Sequence, residues 1–373
     1  MSASIIYLGL DVHKDSLTIA VLPADAPAPT QVDRLPNDPR KLRAYLTRLA
    51  PSGTLRCCYE ASGAGYVVHR RLTEWGYHCD VVAPSLIPQR PGHQRKHDRY
   101  DARQLARLYR AGELTVIYIP SEADERVRDL VRCRATFQRD LLRTRHRVVK
   151  FLRRRGYEYP RGKVHWTQAH RRWLHALGHE AALPAEDATV LGETLALIGY
   201  LEQRRAELDR QITALALTPA LQPHVARLQC FRGLDTHAAM VLATELGDWR
   251  RFTTAGQLMA YLGLVPREAS SGARERRGAI TKAGNAYCRH VLVQAAWAYR
   301  HPPRVGRALR ARQAGQPAAV LAHSWKAQHR LHQLYRRVLG RSGAPVAVIA
   351  VARELVGFLW AVQPREPAEV AAA

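Results

Sequence analysis

Acidic residues are scarce in this 373-residue sequence: 32 aspartates and glutamates face 57 lysines and arginines, which leaves a formal net charge of +25. Lysine is scarce too, because only seven of the basic residues are lysines and arginine supplies the rest. Arginine can bind a phosphate group through two parallel hydrogen bonds. A GC-rich genome would enrich arginine but would not remove the acids, so the charge indicates a polyanionic partner, DNA or RNA, rather than a merely basic enzyme.

The sequence also has no Cys-x-x-Cys motif, no leader segment and no long apolar run. The six cysteines include no Cys-x-x-Cys pair, which argues against a zinc ribbon or a secreted disulfide framework. No stretch approaches the roughly 20 apolar residues that span a bilayer, and no basic segment followed by a cleavable apolar stretch begins the chain. We therefore expect a cytoplasmic protein with no membrane partner.

Apolar residues make up 47% of the chain, enough to build folded cores. The first hundred residues alternate apolar runs with helical spacing, which predicts an α/β domain. A helix is expected to open at Asp38-Pro39 and another to end at Trp75. The predicted strands are Ile5–Val12, Leu17–Leu22, Leu55–Tyr59 and His78–Ala83, of which the first two form a hairpin.

From Asp98 onward the pattern is helical. Two long antiparallel helices are predicted, the second from about Thr189 to Leu215, with an irregular segment, Tyr157–Pro184, between them. That segment is aromatic and basic, and a packed connector and a surface for stacking nucleic-acid bases explain it equally well. Helical segments are then predicted at Leu228–Gly233, His237–Leu246, Ala255–Leu262, Ala286–Ala298, Ala318–Leu339 and Val346–Trp360.

Four carboxylates stand out because they lie at the ends of predicted elements. Asp11 and Glu60 end two strands, whereas Asp98 and Asp101 lie three residues apart at the start of a helix. Functional groups collect at the carboxyl ends of strands in an open α/β sheet, and residues three apart share a helix face. Four such carboxylates can hold two divalent cations, with oxygen ligands favouring Mg²⁺ or Mn²⁺. The structural alternative makes Asp11 a turn former, Glu60 an isolated buried acid and Asp98 a helix cap.

A long polar segment from Gly263 to Asn285 contains two adjacent serines, Ser270 and Ser271, followed by Gly272. A serine hydroxyl can attack phosphorus when a base or metal activates it and cations stabilise the transferring phosphate. A Ser-Gly pair is usually only a turn, but a turn does not require the cations that surround this one. The basic residues that we expect to bind nucleic acid here are Arg267, Arg274, Arg276, Arg277, Lys282 and Arg289.

These motifs occur in an order that resembles one family of insertion-sequence transposases. The resemblance rests on Gly9–Lys14, Glu60–Gly63, Lys96–Ala102 and the block from Ser270 to Asn285. Members of that family, also called bridge-RNA-guided recombinases, combine a RuvC-like Asp-Glu-Asp-Asp domain with a C-terminal transposase domain that carries a catalytic serine. The similarity covers nearly the whole chain, and the joint pattern is specific although each motif alone is weak.

The resemblance implies three domains and a metal site. Residues 1–118 would form a RuvC/RNase H-like α/β catalytic domain, residues 119–220 a long antiparallel coiled-coil insertion, and residues 221–373 an all-α transposase domain. The catalytic and metal-binding residues, with Mg²⁺ or Mn²⁺ as cofactor, would be Asp11, Glu60, Asp98 and Asp101.

The resemblance also implies a covalent mechanism and several partners. Ser271 would be the nucleophile that forms a 5′-phosphoserine link to DNA, and it is preferred to Ser270 because it directly precedes Gly272 and follows Pro266 by five residues. The partners would be the DNA of the element ends and of the target, a noncoding guide RNA, and further copies of the chain in a homodimer or homotetramer. Relatives often have a helix-hairpin-helix turn where this chain reads Phe231–Thr236, so phosphate binding by that turn is not expected.

Two other functions are compatible with the same residues. In a RuvC-like structure-specific nuclease, metal-activated water would replace the serine, and the C-terminal half would only bind DNA. In a non-catalytic nucleic-acid-binding protein, the four carboxylates would be structural.

Overall fold

A computed structural model describes residues 4–88, 98–162, 166–179, 183–268 and 277–364. It divides the chain into two units, Met1–Pro120 and Ser121–Ala373. The further division near residue 220 that the resemblance implies stays a prediction.

A five-stranded sheet forms the centre of the first unit, with the strand order β3-β2-β1-β4-β5. The strands β1, β4 and β5 are parallel, whereas β2 and β3 are antiparallel to their neighbours. The strands are β1 (Ile5–Val12), β2 (Ser16–Pro23), β3 (Gln31–Pro36), β4 (Thr54–Glu60) and β5 (His78–Val82).

Three helices cover the two faces of this sheet. They are α1 (Pro39–Leu49), α2 (Val67–Glu74) and α3 (Asp98–Ala111). Leu8 and Leu10 of β1 are fully buried in the core that α1 and α2 share with one face. Since side chains alternate along a strand, the other β1 positions, including Gly9, belong to the opposite face, against which α3 packs. The carboxyl end of β1 is therefore next to α3.

Two long helices dominate the first part of the second unit, α4 (Glu122–Arg154) and α6 (Ala185–Leu215). They pack in opposite directions, as their ion pairs show: Arg134 binds Asp209 near one end and Arg155 binds Asp187 near the other. This confirms the predicted antiparallel pair, whereas its description as a coiled coil stays a prediction. The arginines in these pairs neutralise acids of the same unit, so these arginines serve helix packing.

Short helices and a small sheet complete the second unit. They are α5 (Gln168–His179), α7 (Gln222–Gln229), α8 (Thr236–Leu246), α9 (Ala255–Tyr261), β6 (Pro266–Glu268), β7 (Arg277–Ile280), α10 (Ala286–Ala296), α11 (Arg307–Gln313) and α12 (Ala318–Ala361). Buried residues of α8, α10 and α12 form one continuous core. The backbone of α12 breaks at Gly343, which has φ 79°, and Pro345 follows. The break divides α12 close to where the sequence predicted two helices.

One helix, α12, is long and apolar enough to cross a membrane by length and composition. No uninterrupted apolar run of that length was expected from the sequence, and Arg353 and Glu354 do interrupt the apolar residues of α12. Val351, Leu355 and Leu359 of this helix lie in the protein core with almost no exposed surface. A helix of a protein core can meet the same criterion by length and composition.

Several predicted elements need correction. The edge strand β3 was missed because three of its six residues are polar and none of the six is fully buried. The segment Tyr157–Pro184 is less irregular than expected, since it contains α5, and the helix predicted at Leu228–Gly233 instead ends at Gln229. The C-terminal region is not all-α, because β6 and β7 pair antiparallel on either side of residues 269–276, which lie outside the described part of the chain.

Candidate metal and nucleic-acid site

The first carboxylate of the site, Asp11, is the penultimate residue of β1, and Glu60 is the last residue of β4. The two strands are parallel neighbours, with Leu10 in register with Tyr59, so both acids lie at the same edge of the sheet. Parallel strands bring their carboxyl ends together in this way. Asp11 is partly buried, with 20% of its side chain exposed, whereas Glu60 is exposed.

A close approach between α3 and β1 positions the other two acids. A Cβ atom on Gly9 would lie 2.3 Å from the carbonyl oxygen of Ala102 and 2.5 Å from the amide nitrogen of Ala106. Only glycine leaves room for the helix backbone at this distance. Asp98 and Asp101 lie in the turn of α3 that precedes Ala102. The glycine therefore brings them to the end of β1 that carries Asp11.

His13, which was not among the predicted site residues, completes this cluster. The Nε2 atom of His13 lies 3.2 Å from Oδ2 of Asp11 and 3.7 Å from Oδ1 of Asp98. One potential ligand atom from each of the three residues lies within 4.8 Å of the other two. The sequence holds one signal for His13, which is its spacing from Asp11. Side chains that are two residues apart at the end of a strand lie on the same face.

The electrostatics of the cluster favour a bound cation. Burial raises the pKa of Asp11 above its usual value, the nearby His13 opposes this shift, and the negative charges of Asp98 and Asp101 add to it. A carboxylate that is both desolvated and next to other acids is stabilised when a positive ion binds. Carboxylate and imidazole groups are common metal ligands, so the residues present fit a divalent cation.

The serine segment is described only at its borders. Ser270, Ser271, Arg274 and Arg276 lie outside the described residues, and of Arg277 only the backbone, in β7, is described. No statement about the nucleophile or its immediate cations therefore rests on the structure.

The remaining predicted basic residues occupy different settings. Arg267 in β6 and Lys282 are exposed, and Lys282 has a positive φ of 57°, which is uncommon outside glycine. Nη1 of Arg289 donates hydrogen bonds to the carbonyl oxygens of Leu262 and Ala283, at 2.9 and 2.8 Å. Arg289 thus holds two backbone segments together, and its binding to nucleic acid stays a prediction.

Two glycines allow the backbone segments before β6 and after β7 to lie against each other. Gly263 and Gly284 both have positive φ, and a Cβ atom on Gly284 would lie only 1.9 Å from the carbonyl oxygen of Tyr261. Lys282 donates its amide hydrogen to the carbonyl of Gly263 at 3.1 Å. The two ends of the serine segment are therefore tied to each other by the backbone.

The last residue of this segment connects it to the core of the second unit. Oδ1 of Asn285 accepts hydrogen bonds from the amides of Tyr287 and Cys288 and so caps α10. Its Nδ2 atom donates to Glu245 of α8 at 2.7 Å. Glu245 in turn accepts two hydrogen bonds from Arg132 of α4. No local sequence pattern indicates this network, because its members are far apart in the chain.

Two family models match the chain. A DEDD-type transposase model of the IS110 group matches residues 8–155, and the model described as "Transposase IS116/IS110/IS902 family" matches residues 225–309. The first match includes Asp11, Glu60, Asp98 and Asp101, and the second includes the serine segment.

Several transposases are similar over most of their length. A Sinorhizobium fredii protein described as a transposase, y4qE, is 42% identical over 82% of this chain and 74% of its own length. The transposase for insertion sequence element IS1533 of Leptospira borgpetersenii is 30% identical over 89% of this chain and 96% of its own. The transposase for IS1328 of Yersinia enterocolitica is 26% identical over 69% and 76% of the two chains.

Proposed function

Because this chain belongs to the IS110/IS116 family of transposases, we propose that it moves its element with a carboxylate metal site and a serine nucleophile. DNA is the substrate of the family's reaction, and the chain is an enzyme of DNA transposition. The observation that supports the metal site is the convergence of Asp11, His13 and Asp98 at the carboxyl end of β1.

The four acids have distinct settings within this proposal. Asp11 and Glu60 come from adjacent parallel strands, and Asp98 and Asp101 come from the first turn of α3. Together they would hold Mg²⁺ or Mn²⁺, and such ions supply charge stabilisation to the attacking and leaving oxygens of a phosphodiester. The chain's own contribution is to keep Asp11 partly buried and to fix α3 against β1 through Gly9.

The covalent step is assigned to Ser271. Its Oγ atom forms a bond to the phosphorus of a DNA phosphodiester while the bond from phosphorus to the 3′ oxygen breaks. The proton lost by the serine ends on the departing 3′ oxygen, so a 5′-phosphoserine and a free 3′-hydroxyl result. Attack by a 3′-hydroxyl of another strand reverses these changes and restores the serine. The cations expected around the segment would stabilise the charge on the phosphate.

The partners in this proposal are two nucleic acids and other copies of the chain. A noncoding guide RNA would select the element ends and the target, and the working assembly would be a homodimer or homotetramer. The charge of +25 supports the binding of polyanions. Sequencing the RNA that copurifies with the protein tests the guide: we expect a discrete noncoding RNA encoded beside the gene, and random cellular RNA would contradict it.

The decisive experiment compares Ser271→Ala with Ser270→Ala on DNA carrying the element ends, with the copurified RNA present. We expect covalent protein–DNA adducts and strand exchange to be lost in Ser271→Ala and retained in Ser270→Ala. Metal-dependent cleavage that persists in both variants would favour a nuclease that uses water. Asp11→Asn should bind DNA without cutting it, and full activity in this variant would make the carboxylates structural.

A further inference from the structure

We propose that His13 is itself a metal ligand of this site, binding through Nε2 between Asp11 and Asp98, and that it shifts the preference of the site from Mg²⁺ towards Mn²⁺. This inference rests on the proposed metal-dependent function and adds a nitrogen ligand to a site otherwise composed of oxygen.

The separations between the potential ligand atoms are close to those around a shared cation. Neighbouring ligands at about 2.1 Å from a metal lie about 3.0 Å apart in octahedral and about 3.4 Å apart in tetrahedral geometry. Nε2 of His13 lies 3.2 Å from the oxygen of Asp11 and 3.7 Å from that of Asp98. Small side-chain adjustments bring all three atoms within bonding distance of one ion.

The backbone of His13 is held while its side chain remains accessible. The amide of His13 donates to the carbonyl of Ser16 at 2.9 Å, and Nδ2 of Asn37 donates to the carbonyl of His13 at 2.8 Å. The imidazole is 54% exposed, so it can reorient without a change in the core. The turn therefore presents the ring to the carboxylates at little entropic cost to the rest of the loop.

A second histidine in the same unit shows what an ordinary pair of this type looks like. Nε2 of His78 lies 3.0 Å from Oδ2 of Asp80, and its side chain is likewise 54% exposed. The hydroxyl of Tyr109 donates to the same oxygen of Asp80 at 2.5 Å. The His78–Asp80 pair therefore has the spacing and exposure of the His13–Asp11 pair. Its third member is the hydroxyl of Tyr109, whereas the third member of the His13 cluster is the carboxylate of Asp98.

The choice of metal follows from the ligand set. Carboxylate oxygens bind Mg²⁺ and Mn²⁺, whereas imidazole nitrogen is a softer ligand that suits metals later in the first transition row. One imidazole among carboxylates should therefore strengthen binding of Mn²⁺ more than binding of Mg²⁺. His13→Gln should weaken Mn²⁺ binding by about 10–100-fold and change Mg²⁺ binding by less than about threefold.

Electron spin-echo envelope modulation of Mn²⁺ tests the bond directly. The full-length protein is loaded with one equivalent of Mn²⁺ and compared with His13→Gln, His78→Gln and Asp11→Asn. We expect modulation from a directly bound ¹⁴N nucleus in the wild type and in His78→Gln, and its loss in His13→Gln. Labelling with ¹⁵N-histidine should change the modulation frequencies of the wild type, a result that does not depend on the folding of any variant.

The outcomes separate this inference from the function on which it rests. Binding of Mn²⁺ that requires Asp11 but shows no nitrogen modulation would overturn the role of His13 and leave the carboxylate site standing. Binding that is unchanged in Asp11→Asn would overturn both. Nitrogen modulation that persists in His13→Gln would assign the ligand to another histidine and so reject the proposal.

Discussion

Arg132 of α4 and Glu245 of α8 form a two-point ion pair, with Nε to Oε1 at 2.6 Å and Nη2 to Oε2 at 2.8 Å. The carboxylate of Glu245 is only 2% exposed, whereas the arginine is 50% exposed. A carboxylate this deeply buried requires its partners, because desolvation would otherwise be costly. Asn285 supplies a third hydrogen bond, so one acid links the long helix, the core and the end of the serine segment.

Glu245→Gln should therefore destabilise the second unit by about 2–4 kcal/mol, because the neutral amide cannot satisfy both arginine donors and the Asn285 amide. Urea unfolding measures the total loss of stability. Hydrogen exchange of the α8 and α10 amides measures the local loss. The control is Asp140→Asn, whose carboxylate pairs with Arg143 at 45% and 74% exposure. That change should cost about 1 kcal/mol or less. Equal losses in the two variants would contradict the role of the buried pair.

The sequence predicted the elements whose side chains carry a repeating apolar pattern. The β1–β2 hairpin was found because both strands are strongly apolar, and the antiparallel α4–α6 pair because each helix has an apolar stripe. The edge strand β3 has no such pattern, since its polar residues are held by pairing with β2 rather than by burial. Local periodicity cannot show a strand of this kind.

The candidate site was predictable only in part. The four acids were singled out by their places at element ends, and their role as ligands stays a prediction. The proximity of His13 to Asp98 depends on the close approach of α3 at Gly9, which joins residues about ninety positions apart. The Arg132–Glu245 pair spans 113 positions, and neither residue stands out from the other charged residues of its helix. Such relationships arise from tertiary packing and have no local signal.

A partly buried histidine should make the stability of the second unit depend on pH. Burial, with the nearby Arg134, lowers the pKa of His237 to about 4, and its Nε2 atom lies 3.1 Å from the hydroxyl of Tyr287. As the pH falls, His237 therefore takes up a proton near pH 6.5 in the unfolded chain but only near pH 4 in the folded chain. Stability should fall by on the order of 1–3 kcal/mol as the pH drops through this window.

Urea unfolding at several pH values measures this dependence. His237→Gln should flatten the slope between pH 6.5 and 4, whereas His290→Gln, which changes an exposed histidine, should leave it unchanged. An unaltered slope in His237→Gln would assign the pH dependence to other groups.

Divalent cations should stabilise the first unit through Asp11. Burial and the neighbouring acids raise the pKa of Asp11, so its ionised form costs stability as the pH rises through that raised value. In EDTA at pH 8, Asp11→Asn should therefore melt at a higher temperature than the wild type. Mg²⁺ at 100 times its dissociation constant should stabilise the wild type by about 2.7 kcal/mol and Asp11→Asn by much less. Differential scanning fluorimetry tests both statements, and an identical Mg²⁺ effect in the two proteins would place the ion elsewhere.

Gly9→Ala should disconnect the acids of α3 from Asp11 without removing any charged group. The new Cβ atom would meet backbone atoms of Ala102 and Ala106, which cannot rotate away as a side chain can, so the helix must move off the strand. We expect the free energy of unfolding to fall by about 1–3 kcal/mol, as it does in overpacked cores. Binding of Mn²⁺ should weaken at the same time, because Asp98 and Asp101 would move with the helix.

Gly63→Ala is the control: its Cβ has no neighbour within 4 Å, so stability should be retained. Isothermal titration with Mn²⁺ at a temperature where both variants are folded separates the two effects. Unchanged affinity in Gly9→Ala would show that the position of α3 does not determine the geometry of the metal site.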